Sequence, residues 1–104
     1  MEYIVKWMPI AQLDLEDIYQ FYLPKSERAA NNIWNSLVES ADPLKIFAYS
    51  GPIEPLLANR KKEYHSLVVE KHFKLIYYIE SNIVYITAVW DTRRNPEYLK
   101  DSVK

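Results

Sequence analysis

Three runs of β-branched and aromatic residues, "YHSLVVE" (64–70), "FKLIYYIE" (73–80) and "IVYITAVW" (83–90), follow one another with only two residues between them. Gaps this short exclude a parallel crossover, which needs a dozen residues or more. The runs are therefore expected to pair as an antiparallel meander. With Lys71-His72 and Ser81-Asn82 as two-residue turns, Phe73, Leu75, Tyr77 and Ile79 pair with Trp90, Ala88, Ile86 and Val84 on one face. Lys74, Ile76 and Tyr78 then oppose Val89, Thr87 and Tyr85 on the other face, where His65 completes a His65–Tyr78–Tyr85 row. A slip of one residue at the first turn buries His65 instead.

The residues before the meander supply its cover. "EYIVKWM" (2–8) alternates as a first strand, with Tyr3, Val5 and Trp7 on one side. Pro9 then suits the first turn of a helix, where no amide donor is needed. In "PIAQLDLEDIYQFYL", Ala11, Leu15, Ile18 and Tyr22 recur at helical spacing, while Asp14, Glu16 and Asp17 mark the wet side. Pro24 ends that helix, and Ser26 is a fitting N-cap for a second with a stripe of Ala30, Ile33, Leu37 and Ala41. Asp42-Pro43 disfavours continuation and leaves Leu44 to an exit turn. Residues 45–63 form a long crossing that holds Gly51 and a short helical turn around Ile53–Ala58. One α+β domain over 1–104 is expected: an N-terminal strand, a helix hairpin, then the meander. The helices lie on one face of a four-stranded sheet, and a short C-terminal helix or tail follows.

The chain contains no cysteine, which excludes disulfides, thiolate catalysis and cysteine-based zinc sites. Its two histidines, His65 and His72, lack metal-site spacing, and a single glycine rules out glycine-rich phosphate loops. Neither a metal nor a cofactor is expected. The N-terminal segment has no leader-like apolar run and no window approaches a membrane span, so a cytoplasmic protein without a membrane partner is expected. The net charge of −1 conceals a division. Residues 1–59 carry four Lys/Arg against eight acids, and residues 60–104 carry nine against six. The positive charge gathers in "NRKKEY", "EKHFK" and "DTRRN", in the same third of the chain as the sheet.

The fragments "VKWMPIAQLDLEDIYQFY", "EYHSLVVEKHFKLIYYIE" and "VWDTRRNPEYL", taken in that order, resemble the RelE/ParE-type toxins of bacterial type II toxin–antitoxin systems. The resemblance implies a growth-arresting toxin, of a kind tied to plasmid stabilization, that is neutralised by a cognate antitoxin wrapping it with helical or extended segments. It leaves two targets open. RelE-like members cut messenger RNA on the ribosome with basic and tyrosine side chains of the open sheet face. ParE-like members act on DNA gyrase and lack that catalytic set; an inactive remnant that serves only as an antitoxin-binding module is the further alternative. At two positions where the family often carries arginine this chain has His65 and Lys74, which lack the bidentate guanidinium fork. Arg93 and Arg94 keep the basic pair after the last strand.

For RNA cleavage the nucleophile belongs to the substrate, so the protein must supply a base, an acid and cations for the charge on the phosphate oxygens. His65, Lys74, Arg93 and Arg94 are the candidate catalytic residues: His65 for proton transfer, the other three for charge. Tyr78 and Tyr85 are candidate base-stacking platforms. Arg60, Lys61 and Lys62 form a basic loop that is either simply solvated or a contact for RNA, DNA or antitoxin. The slightly acidic whole chain is a poor match for a ribosome-directed nuclease and carries no penalty against a protein target.

Overall fold

The computed structural model describes residues 2–103. The order of elements is β1 (Ile4–Trp7), α1 (Pro9–Tyr22), α2 (Glu27–Ser40), β2 (His65–Val69), β3 (Phe73–Glu80), β4 (Ile83–Asp91) and α3 (Pro96–Ser102). Short 3-10 turns occupy Asp42–Lys45 and Pro55–Leu57. The sheet order is β1-β4-β3-β2, with β1 parallel to β4 and the other pairs antiparallel. The α+β arrangement anticipated from the pattern is the one observed.

The helix boundaries follow local chemistry. Pro9 opens α1, and Ser26 Oγ accepts the Ala29 amide at 3.1 Å to cap α2. The expected helical turn in the long crossing forms at Pro55–Leu57, and Leu44 is fully buried in the exit turn after α2. Asn95-Pro96 is more than a break in the chain. Asn95 Oδ1 accepts the Glu97 amide and Pro96 is the first residue of α3.

The main core lies between the helix hairpin and one sheet face, where Ala11, Leu15, Leu37 and Leu44 meet Leu75, Tyr77, Val84 and Ile86. Truncating a fully buried leucine such as Leu37 to alanine costs about 2–5 kcal/mol in a core of this kind. A second cluster covers part of the opposite face: Leu57, Leu99 and Val103 pack on Ile76, Ala88 and Trp90. The face expected to be open is therefore half covered, because α3 folds back over it.

Two registers differ from expectation. The second hairpin uses the expected Ser81-Asn82 turn, both residues with positive φ as a type I′ turn requires. Its near half pairs as anticipated, with Tyr77 opposite Ile86, Tyr78 opposite Tyr85 and Ile79 opposite Val84. A β-bulge then leaves Thr87 unopposed, so Leu75 faces Val89 and Lys74 faces Trp90. The bulge moves Ala88 and Trp90 to the face under α3 and puts Val89 in the main core. In the first hairpin the loop is Glu70–His72 rather than Lys71-His72, with Glu70 and Lys71 at positive φ. Ser36 of α2 donates to Glu70 Oε1, outside the ladder, at 2.9 Å. His65 consequently faces Tyr77, not Tyr78, and is only 5% exposed.

Candidate functional site

With that register, His65 becomes the anchor of the long crossing. Its Nδ1 lies 2.8 Å from the Gly51 carbonyl, which offers no hydrogen, so the ring donates. Its Nε2 faces Glu63 Oε1 at 3.1 Å, and the ring stacks on Tyr77 at 5.4 Å with an interplanar angle of 20°. The Gly51 amide in turn donates to the Tyr77 hydroxyl at 2.9 Å. A Cβ at Gly51 would lie 2.6 Å from both that hydroxyl and the Ser66 carbonyl, so this approach requires glycine through contact and not through its dihedrals. The row on the other face is Tyr64–Tyr78–Tyr85. Tyr64 meets Tyr78 edge-on at 5.7 Å, and Tyr78 stacks on Tyr85 at 4.9 Å.

Lys74 points to the α3 side of the sheet, away from His65, and its Nζ donates to Glu54 Oε1 at 2.6 Å. Glu54 is 1% exposed. Burial pushes the Glu54 carboxyl up, but the hydrogen bond from Lys74, the Leu56 amide and the Ser66 hydroxyl outweigh it and hold it below its usual range. Arg93 folds back on Asp91, with Nε and a terminal nitrogen on its two oxygens at 3.0 and 2.9 Å, and also donates to the Tyr22 hydroxyl. The hydrogen bond from Arg93 is the main reason that the Asp91 carboxyl lies below its ordinary range. Arg94 turns the other way and rests over the Trp90 and Tyr98 rings, 5.3 and 5.6 Å from their centroids. Lys74 and Arg94 thus flank Trp90, whereas His65 and Arg93 lie on the helix side.

The basic loop divides as well. Arg60 donates to the Val103 and Lys100 carbonyls and closes the C-terminal end of α3. Lys62 pairs with Glu80 at 3.0 Å and stands 4.4 Å above the Tyr78 ring, while Lys61 is exposed. Tyr78 and Tyr85 keep partial exposure. No cluster of three or more potential metal ligands occurs among the described residues.

A second site was not visible in the sequence. Between α1 and the far end of β4 lies a groove of ≈ 400 Å³, floored by Ile18, Phe73 and Val89 and walled by Phe21, Asp14 and Arg94. Asp14, assigned by periodicity to the wet side of α1, accepts the Val89 amide at 3.0 Å. Burial pushes its carboxyl up to about 6, against the opposing pull of that amide; Asp17 adds to the rise and Arg94 reduces it. The available signal was its place beside Ala11, Leu15 and Ile18, at the border of the apolar stripe.

Comparison with known proteins agrees with this architecture. The family described as "ParE toxin of type II toxin-antitoxin system, parDE" matches residues 5–96. A solved structure described as "Chromosomal ParDE TA system from P. aeruginosa" superposes with a TM-score of 0.72 at 22% identity, covering 86% of this chain and 96% of that one. At that identity the superposition speaks for the fold. No curated protein matches the chain. Since the family match runs through β1, the helix hairpin, the whole meander and the start of α3, the chain belongs to the ParE toxins of type II toxin–antitoxin systems.

Proposed function

We propose that this toxin arrests growth by binding a protein target, DNA gyrase in the ParE manner, and that its cognate antitoxin neutralises it by covering its surface. The observation that carries this reading is the engagement of the four candidate catalytic groups. His65 is buried and holds Gly51 and Glu63; Lys74 is paired with a buried carboxylate; Arg93 is clasped by Asp91; Arg94 lies on two aromatic rings. General acid–base cleavage needs proton-transfer and charge-stabilising groups converging on one phosphate. His65 and Lys74 are on opposite faces of the sheet. Ribosome-associated mRNA cleavage is the second reading, favoured by the partly exposed Tyr78–Tyr85 stack beneath Lys62, a surface of the kind that receives nucleobases.

Expression with and without the adjacent antitoxin gene tests the module, and arrest relieved by the antitoxin is expected. With purified toxin, inhibition of gyrase supercoiling while translated messages remain intact supports the gyrase reading. New cuts inside ribosome-bound messages, abolished by His65→Ala, would replace it with the nuclease.

A further inference from the structure

α3 covers only part of the sheet face on which it packs, over Ile76, Ala88 and Trp90. The part it leaves open is built from β1, the start of β4 and the end of β3. Val5 and Trp7 pack into the main core with Val84 and Ile86, so alternation turns Ile4, Lys6, Ile83 and Tyr85 to this open side. Lys6 stands opposite Tyr85 from β1, and Tyr78 stands opposite it from β3. Across the sheet the row reads Lys6, Tyr85, Tyr78, with Lys62 at the Tyr78 end.

The two rings are not equivalent. Tyr78 is hemmed in: Tyr85 stacks on it at 4.9 Å, Lys62 stands 4.4 Å from its ring centre and Tyr64 meets it edge-on. Tyr85 has no second ring and no cation over its other face among the described residues. That face looks over β1, where Ile4 is 67% exposed and Lys6 is exposed with no ion-pair partner among the described residues. A flat aromatic ring entering there continues the stack by one step. Any nucleobase can do so, because every base has a π-face, and the phosphates flanking it meet Lys6 and Lys62. Glu80 already holds Lys62, but that bridge is exposed on both partners, and such bridges are weak and screened by salt. A lone aromatic side chain of a protein would use the ring and leave both ammonium groups without a counter-charge. Duplex DNA keeps its bases stacked on one another and offers only phosphates.

We infer that the outer face of Tyr85, with Lys6 and Lys62, is a binding site for single-stranded DNA: one base stacks on the ring and its flanking phosphates meet the two ammonium groups. The site holds the strand and leaves it whole. The choice of DNA over RNA rests on the gyrase reading above, since the substrate of gyrase is DNA; the stacking and the charge do not depend on it.

Fluorescence anisotropy of a short labelled oligothymidylate, titrated with the full chain at low salt, tests the site without gyrase or antitoxin. Binding is expected, with log K falling by about 1.4 per decade of salt for two phosphate contacts. Tyr85→Leu, which keeps an apolar side chain on the sheet, is expected to weaken it about tenfold, and Tyr85→Phe to restore it. Lys6→Gln, at an exposed position that folding does not depend on, is expected to weaken binding several-fold and to halve the salt slope. With iodouracil in the strand, light-induced crosslinking is expected at Tyr85 and not at Tyr78. No binding at low salt, unchanged binding in both Tyr85→Leu and Lys6→Gln, or equal affinity for duplex DNA overturns the site. Tighter binding of oligouridylate than of oligothymidylate overturns the assignment to DNA. Strand binding by a toxin that fails to inhibit gyrase sustains the site and strikes the target reading; gyrase inhibition without strand binding overturns the site alone.

Discussion

Replacing Lys74 by methionine separates a structural cation from a catalytic one. In the native chain its ammonium, 23% exposed at the side chain, is 2.6 Å from a carboxylate that is 1% exposed. Removing one partner of a buried pair leaves the other uncompensated and costs about 3–5 kcal/mol. Glu54 keeps the Leu56 amide and the Ser66 hydroxyl, which places the expected loss near the low end, about 3 kcal/mol. For a domain of this size that corresponds to a fall of roughly 12–20 °C in Tm. The double variant Glu54→Gln/Lys74→Met removes both charges and is expected to recover most of the loss, so the cycle gives a coupling energy of about 2 kcal/mol.

The pH dependence has a defined sign. The folded carboxyl of Glu54 is held below its ordinary value of 4.5, so its stabilisation is present above that value and is lost as pH falls through the folded pKa. In Lys74→Met the remaining desolvated carboxyl moves upward, so that variant gains stability relative to the native chain as the medium is acidified from neutrality. Urea unfolding followed by tryptophan fluorescence measures all four corners of the cycle. A single variant within about 0.5 kcal/mol of native, with no rescue in the double, would refute the buried-pair argument. Loss of toxicity at native stability would return Lys74 to the list of groups that touch the target.

Asp14→Asn is expected to stabilise the free toxin by about 1 kcal/mol at neutral pH and to do nothing below pH 4, after discounting a partly exposed group for screening. The folded carboxyl titrates at about 6 against 3.8 unfolded, so the native state binds the extra proton between those values and its stability falls as pH rises through them. Equal pH profiles for the two proteins would contradict this. Gly51→Ala forces a Cβ to 2.6 Å from the Tyr77 hydroxyl and the Ser66 carbonyl and is expected to cost about 1–3 kcal/mol, read by the same urea titration. A variant as stable as the native chain would show that the crossing can move aside.

The near half of the last hairpin was legible because Ser81-Asn82 lies between two apolar runs and both residues accept positive φ. The helix pair was legible from Pro9, Ser26 and the spacing of Ala11, Leu15, Ala30 and Leu37. His65 was not. Glu70 continues the alternation of β2, and Ser36, which hydrogen-bonds it outside the ladder, is 34 positions earlier in the chain. Nor did any local feature mark the bulge at Thr87. That bulge turns Trp90 to the face where α3 offers Leu99 and Val103 to receive it. The candidate site suffered from the same cause. Charged residues show their type in a sequence, but Glu54, Asp91 and Asp14 find their partners through tertiary contacts.

The parallel pairing of β1 with β4 sets a schedule for synthesis. Ile4 must wait for Ile83, and Trp7 for Ile86, before the sheet can close. Closing so long a loop is slow compared with forming the helix hairpin. During translation the N-terminal strand and α1 therefore leave the ribosome well before the strand they complete. The far edge of β4 and the groove above it come into being only after Arg94 has been made.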